Sequence, residues 1–157
     1  MSNFIVKKVA VLGAGVMGAQ IAAHLVNARV PVVLFDLPAK EGPKSGIALR
    51  AIENLKKLSP APLGIKDEAG LIQAANYEDD IAVLKECDVV IEAIAERMDW
   101  KHDLYKKVAS HLGANTIFAS NTSGLSITEL SDGFDADLKA RFCGVHFFNP
   151  PRYIHLV

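Results

Sequence analysis

Gly13-Ala14-Gly15-Val16-Met17-Gly18 stands between the apolar run VAVL and the helical pattern AQIAAHLV. Glycines at this spacing, in a strand, turn and helix context, are what a dinucleotide's pyrophosphate requires. Gly13 permits the tight turn and Gly15 leaves bare backbone where the pyrophosphate approaches. Gly18 lets helix and strand pack closely, and the helix N-terminus, at Val16 and Met17, faces the anion. The next apolar run ends at Asp36, 18 residues beyond Gly18, where such a fold places the acid that accepts from a ribose 2′-hydroxyl. A carboxylate there repels a 2′-phosphate, and Leu37, Pro38 and Ala39 bring no arginine to neutralise one. The pattern selects NAD over NADP.

Later apolar runs carry polar residues at their carboxyl ends, the edge at which ligands of open α/β sheets bind. DVVIEAI leads to Ala95 and Glu96, with Lys101 a turn into the next helix. NTIFAS leads to Asn121, Thr122 and Ser123, and ARFCGVHFF holds His146, with Asn149 just beyond. His146 has two readings. It is a satisfied interior histidine, or it is a base that takes the proton of an alcohol while hydride leaves to NAD. The second reading needs an acceptor on the other ring nitrogen, and no acid lies in the residues that follow. Ser126 and Glu129 make an S-x-x-E capping box, so Ser123, upstream of it, is open to a site role as well as a structural one. Asn149 precedes Pro150, which biases it to an extended backbone and lets its amide project. Glu92, inside an apolar strand, is either a solvated edge residue or a paired core acid. His24, His102, His111 and His155 show no i,i+4 pairing, which argues against a metal site.

These groups need a scaffold that brings several strand ends together. β-branched runs at 8–12, 30–36, 88–94, 115–120 and 140–148 alternate with helical periodicity near 17–28, 43–58, 67–74, 99–112 and 126–131. Strands apolar throughout, separated by helices, predict a doubly wound α/β fold with a mainly parallel sheet, the Rossmann arrangement. LSPAPLG at 58–64 reads as an internal loop that ends the second long helix. That helix carries Lys44, Arg50, Lys56 and Lys57, either as a solvated face or as contacts to a polyanionic ligand.

The 157 residues suffice for one domain, 1–157. With 17 basic residues against 18 acidic ones, no basic stripe points to nucleic acid or an anionic membrane. Lys7 and Lys8 before VAVLGAGVMGA mimic a signal peptide, but Gln20 and His24 continue the segment at helical spacing, and the glycines break any membrane span. Cys87 and Cys143 sit in apolar contexts outside any CxxC pattern, as reduced interior thiols do. The expected location is the cytoplasm.

GAGVMGAQIA, the strand-end Asp36, VIEAIAERMDWK, FASNTSGLSI and GVHFFNPPRY, in this order, resemble the N-terminal half of the L-3-hydroxyacyl-CoA dehydrogenases of fatty-acid β-oxidation. The wording around ERMDWK is most similar to the bacterial multifunctional forms fused to an enoyl-CoA hydratase/isomerase. The resemblance implies an NAD-dependent oxidation of a 3-hydroxyacyl-CoA thioester and assigns roles. Gly13, Gly15, Val16, Met17, Gly18 and Asp36 would hold NAD, with Ala95, Glu96 and Lys101 near its ribose and nicotinamide. Ser123 would lie by nicotinamide and substrate, Asn149 would hold both, and His146 would be the base. Lys57 falls in the region that contacts coenzyme A. In the family a glutamate after the Leu-Val pair orients the histidine, and a helical C-terminal domain closes the cleft and forms a dimer. Here Leu156-Val157 ends the sequence, so the resemblance implies a piece of a longer enzyme that binds NAD but is nearly inactive alone. Two rivals share the scaffold: another GAGxMG-type hydroxyacid or sugar-nucleotide dehydrogenase, and a non-catalytic NAD-binding protein.

Overall fold

Residues 4–157 are described by a computed structural model. Six parallel strands form one sheet in the order β3-β2-β1-β4-β5-β6: β1 Val9–Leu12, β2 Val32–Asp36, β3 Ile72–Asn76, β4 Val89–Glu92, β5 Ile117–Ser120 and β6 Phe142–Gly144. The order reverses across β1 and β4, which opens a crevice at their carboxyl ends.

Alternation along each strand feeds two cores. On β1, Val9 and Val11 point into one layer with Ile21, Ala22 and Val26 of α1 (Val16–Asn27) and Ile52 and Leu55 of α2 (Gly46–Leu55). Ala10 and Leu12 point into the other, with Leu104, Tyr105 and Val108 of α3 (Met98–Ala109), and with Phe118 and Phe134. Strands covered on both faces have no reason to alternate polar with apolar residues, so their runs read as continuous. Small residues on α1, from Gly18 through Ala19, Ala22 and Ala23, bring that helix close to β1, where the glycine turn needs it.

Two sequence expectations are overturned. The helix predicted at 67–74 is a short 3₁₀ turn, Lys66–Leu71, that runs straight into β3. Ala74 and Ala75 carry weak strand propensity, but pairing along the whole of β2, from Val32↔Ile72 to Asp36↔Asn76, overrides it at this sheet edge. The last strand is also shorter than 140–148: β6 ends at Gly144, so His146 lies beyond the strand rather than in it. Two short helices complete the chain, α4 (Ile127–Ser131) and α5 (Ala136–Lys139). The Ser126 cap is as expected, its hydroxyl accepting from Glu129 N–H at 3.3 Å. The 58–64 loop is pinned from afar. Arg152 donates to the carbonyls of Ala61 and Leu63 at 2.8 and 2.7 Å, and Asn27 donates to the Pro62 carbonyl at 2.8 Å. Among the described residues no helix is long and apolar enough to cross a membrane.

Candidate active site

The glycine turn is built by exclusion. Gly13 has φ +105°, a conformation that favours glycine, and a Cβ there would lie 2.8 Å from the Ala93 carbonyl oxygen. A Cβ on Gly18 would lie 1.8 Å from the Gly13 carbonyl oxygen, so α1 can start where it does only without a side chain there. At Gly15 a Cβ would meet nothing within 4 Å. The protein itself leaves that space open. Gly15 is also the N-cap of α1, with no side-chain cap, so the leading N–H groups keep their partial positive charge for an anion. Val16 is exposed beside them, and Met17 packs against the core beneath the helix.

Asp36 ends β2 and is turned toward this loop. Its carboxylate accepts from Ala14 N–H at 2.6 Å and from Leu37 N–H at 2.7 Å, which fixes its oxygens beside the turn while leaving lone pairs for a hydroxyl. Gly13, Gly15, Asp36 and Ala95 line one cavity of about 550 Å³, together with Tyr77 and Trp100. A pyrophosphate at Gly15 and a ribose at Asp36 fit this arrangement, so the residues present suit an NAD molecule.

Beneath the carboxyl ends of β4 and β5 lies a buried polar hub. Glu92, the last residue of β4, is fully buried and accepts four hydrogen bonds. Ile94 N–H and Lys101 Nζ donate to Oε1 at 2.8 and 2.5 Å. The Tyr105 hydroxyl and Ser120 Oγ donate to Oε2 at 2.8 and 2.7 Å. Glu92 is thus the paired core acid of the two sequence readings. Lys101, expected near the cofactor's ribose and nicotinamide, is 1% exposed with its ammonium on Glu92, because an isolated charge at that depth would be far costlier than a paired one. Burial, reinforced by the Glu92 charge, pushes the Tyr105 hydroxyl far above its ordinary range, so it serves as a permanent donor.

From this hub the loops fan outward. Glu96 gathers the loop after β5: the Thr122 hydroxyl donates to its carboxylate, as do the N–H groups of Ser123, Gly124 and Leu125 at 3.2, 3.2 and 3.3 Å. Burial would raise the Glu96 carboxyl, but those donors and the nearby Lys101 charge hold it below its ordinary value. Ser123, exposed, is thereby held at the mouth of the crevice with its hydroxyl free of a capping role.

The next loop is tied to the same edge. Asn121 Oδ1 accepts from Phe147 N–H at 2.8 Å, Val145 N–H donates to the Ser120 carbonyl at 2.9 Å, and Gln20 Nε2 donates to Asn149 Oδ1 at 3.2 Å. His146 stands between these ties, its ring edge-on to Phe148 at 4.8 Å. Its Nδ1 is buried without a partner among the described residues. The structure therefore brings Ser123, His146 and Asn149 to one sheet edge. Lys57 is not among them: it is exposed just past α2 and touches none of these groups. Among the described residues no His, Cys, Asp or Glu cluster could hold a metal ion.

Sequence reasoning missed Tyr77 and Trp100. Tyr77 follows the carboxyl end of β3, a position that becomes visible once 72–76 is read as a strand. Trp100, in the first turn of α3, carries no motif that would have marked it.

Residues 8–157 match the family model described as "3-hydroxyacyl-CoA dehydrogenase, NAD binding domain". A probable 3-hydroxyacyl-CoA dehydrogenase of Deinococcus radiodurans is 46% identical over 153 residues, covering 97% of this chain and 44% of that protein. A putative fatty acid oxidation complex trifunctional enzyme of Rickettsia felis is 43% identical over 153 residues, again 97% of this chain but 21% of the relative. The crystal structure of 3-hydroxybutyryl-CoA dehydrogenase from Escherichia coli superposes with a TM-score of 0.76 at 29% identity, covering 95% of this chain and 31% of that one. The chain spans less than half the length of each of these relatives.

Proposed function

The chain belongs to the 3-hydroxyacyl-CoA dehydrogenase family and carries its NAD-binding domain, and from that membership we propose that residues 1–157 are the cofactor half of an enzyme that oxidises an L-3-hydroxyacyl-CoA to the 3-oxo thioester. The observation that carries the reading is the convergence of two strand ends, β5 through Ser123 and β6 through His146 and Asn149, on the edge where the glycine turn and Asp36 are built for NAD. NAD supplies the hydride acceptor. Cofactor binding, the proton transfer and substrate positioning fall to the chain's own groups.

Gly15 admits the pyrophosphate, and Asp36 accepts from a ribose hydroxyl. Glu96 holds Ser123 at the crevice mouth, where its hydroxyl reaches substrate and cofactor. His146 takes the alcohol proton at Nε2, because Nδ1 is the buried nitrogen and is left for an orienting acceptor. Asn149, braced by Gln20, orients the substrate's oxygen and the cofactor. The relatives named for fatty-acid oxidation support an acyl-CoA thioester as the substrate class and β-oxidation as its setting. Lys57 and the exposed end of α2 are the place for the coenzyme A moiety.

Three measurements test this. Titration of the 157-residue chain by NADH fluorescence should show saturable binding, and its absence at millimolar cofactor would end the reading. Acetoacetyl-CoA-dependent NADH oxidation should be near zero for these residues alone, since His146 Nδ1 has no acceptor among the described residues to hold one tautomer. Turnover near that of a two-domain relative would refute that part. In a longer protein containing this domain, His146→Gln should lower kcat by about 10²–10⁴ with NADH affinity unchanged.

A further inference from the structure

His146 Nδ1 is buried without a partner among the described residues, so the placement of its ring rests on the edge contact with Phe148 and on the backbone that carries it. Two N–H groups flank that position, and both are taken by consecutive residues at the end of β5. Val145 N–H donates to the Ser120 carbonyl at 2.9 Å, and Phe147 N–H donates to Asn121 Oδ1 at 2.8 Å. The first bond is an ordinary rung of the parallel ladder that pairs Ser120 with Gly144. The second is not. In a continued ladder Phe147 N–H would reach the carbonyl of Thr122, two residues beyond Ser120. The ladder stops because residues 122–125 turn toward Glu96, and a side chain stands in for the missing rung.

Asn121 is itself firmly held. It is 9% exposed, and its own N–H donates to the Glu92 carbonyl at 2.8 Å, which fixes it to the end of β4. A backbone N–H can only donate, so the oxygen of the Asn121 amide, and not its nitrogen, faces Phe147. Its two neighbours point elsewhere: Ser120 Oγ donates to Glu92, and the Thr122 hydroxyl donates to Glu96. Of these three consecutive residues, Asn121 is the one whose side chain reaches the segment that carries His146.

We propose that Asn121 is a positioning residue for the base: without touching the reacting atoms, its Oδ1 holds Phe147 N–H and thereby fixes where His146 stands against the crevice. The inference rests on the dehydrogenase reading above and goes beyond it, because it moves part of the catalytic rate to a residue that acts through His146 alone. A rate that depends on the placement of a base is sensitive to shifts of about an ångström. Losing the Asn121 oxygen should therefore lower kcat and leave NADH binding, which belongs to Gly15 and Asp36, untouched.

In the 157-residue chain, amide exchange followed by NMR reads the bond itself. Asn121→Ala should speed exchange of Phe147 N–H about tenfold or more and leave Val145 N–H protected, whereas Asn121→Asp, which keeps an acceptor of the same reach, should leave both protected. In a longer protein containing this domain, Asn121→Ala should lower kcat for 3-hydroxybutyryl-CoA about ten- to a hundredfold, with KM for the thioester and the NADH dissociation constant within about twofold of wild type. Asn121→Leu, which fills the volume without an acceptor, should repeat that loss. Asn121→Asp should recover most of kcat when compared at a pH high enough for His146 to be neutral in both proteins. A cycle with His146→Gln separates positioning from general support: once the base is gone, adding Asn121→Ala should cost less than about twofold more. Losses that multiply in the double variant, a rise in KM and in the NADH dissociation constant in step with the fall in kcat, or faster exchange of Val145 and Phe147 alike would each overturn the proposal. An active enzyme whose rate is unchanged by Asn121→Ala overturns this inference alone; a wild-type protein that does not oxidise the thioester overturns the dehydrogenase reading and this inference with it.

Discussion

Replacing Glu92 by glutamine tests how the buried hub holds the site. The substitution changes almost no volume, but it reverses two features at once. Glu92 accepts from four donors, two on each oxygen, and a glutamine amide must turn an NH₂ group toward one of those pairs. It also removes the charge that pairs directly with the Lys101 ammonium, which is 1% exposed. Breaking a buried pair from one side costs about 3–5 kcal/mol, against a total of roughly 5–15 kcal/mol for a whole domain. At about 2–4 °C per kcal/mol for a chain of this size, the melting temperature should fall by roughly 6–20 °C. Thermal and urea unfolding followed by circular dichroism measure this directly. The double variant Glu92→Gln/Lys101→Met provides the control: it removes both charges together, keeps an acceptor at residue 92, and should recover part of the loss, since uncompensated charge is the main penalty. Glu92→Gln within about 1 kcal/mol of wild type, or a double variant worse than the single, would refute the argument that this pair and its donors fasten β4, β5 and α3 together.

Three further outcomes follow from the same geometry. Gly18→Ala puts a Cβ 1.8 Å from the Gly13 carbonyl and should destabilise by about 3 kcal/mol or more, whereas Gly15→Ala meets nothing within 4 Å and should leave the melting temperature nearly unchanged while NADH affinity falls at least tenfold. Unfolding and NADH titration of the pair separate packing from ligand space, and a Gly15→Ala variant with intact affinity would contradict the pyrophosphate assignment. Glu96 titrates below its ordinary value of 4.5 in the folded chain, so it contributes stability above that pH and loses it as pH falls through the depressed value. Glu96→Gln should flatten that acid limb by less than about 1 kcal/mol, because the group is largely exposed, and pH-dependent unfolding of both proteins would reveal a limb that does not change. Asp36→Ser should shift preference toward NADPH by tenfold or more, measured by parallel titrations, since it removes the charge that repels a 2′-phosphate.

Much of the site was legible before any coordinates. The glycine turn, Asp36 and the Ser126 cap are read locally, because each depends on residues within a few positions of one another and on backbone rules that hold wherever the segment folds. Ser123, His146 and Asn149 were legible as candidates, through their place after apolar runs and through the family resemblance. What the residues alone left open was their company. Glu92 finds Lys101 and Tyr105 on a helix and Ser120 on a strand 28 residues away; Asn149 finds Gln20 across 129 residues. β3 was hidden by its alanines, and with it the cavity position of Tyr77. Local chemistry sets turns, caps and the burial of both strand faces. The partners of buried polar groups are set by which strand ends the closed sheet brings together, and that is decided by long-range pairing and packing of the whole chain.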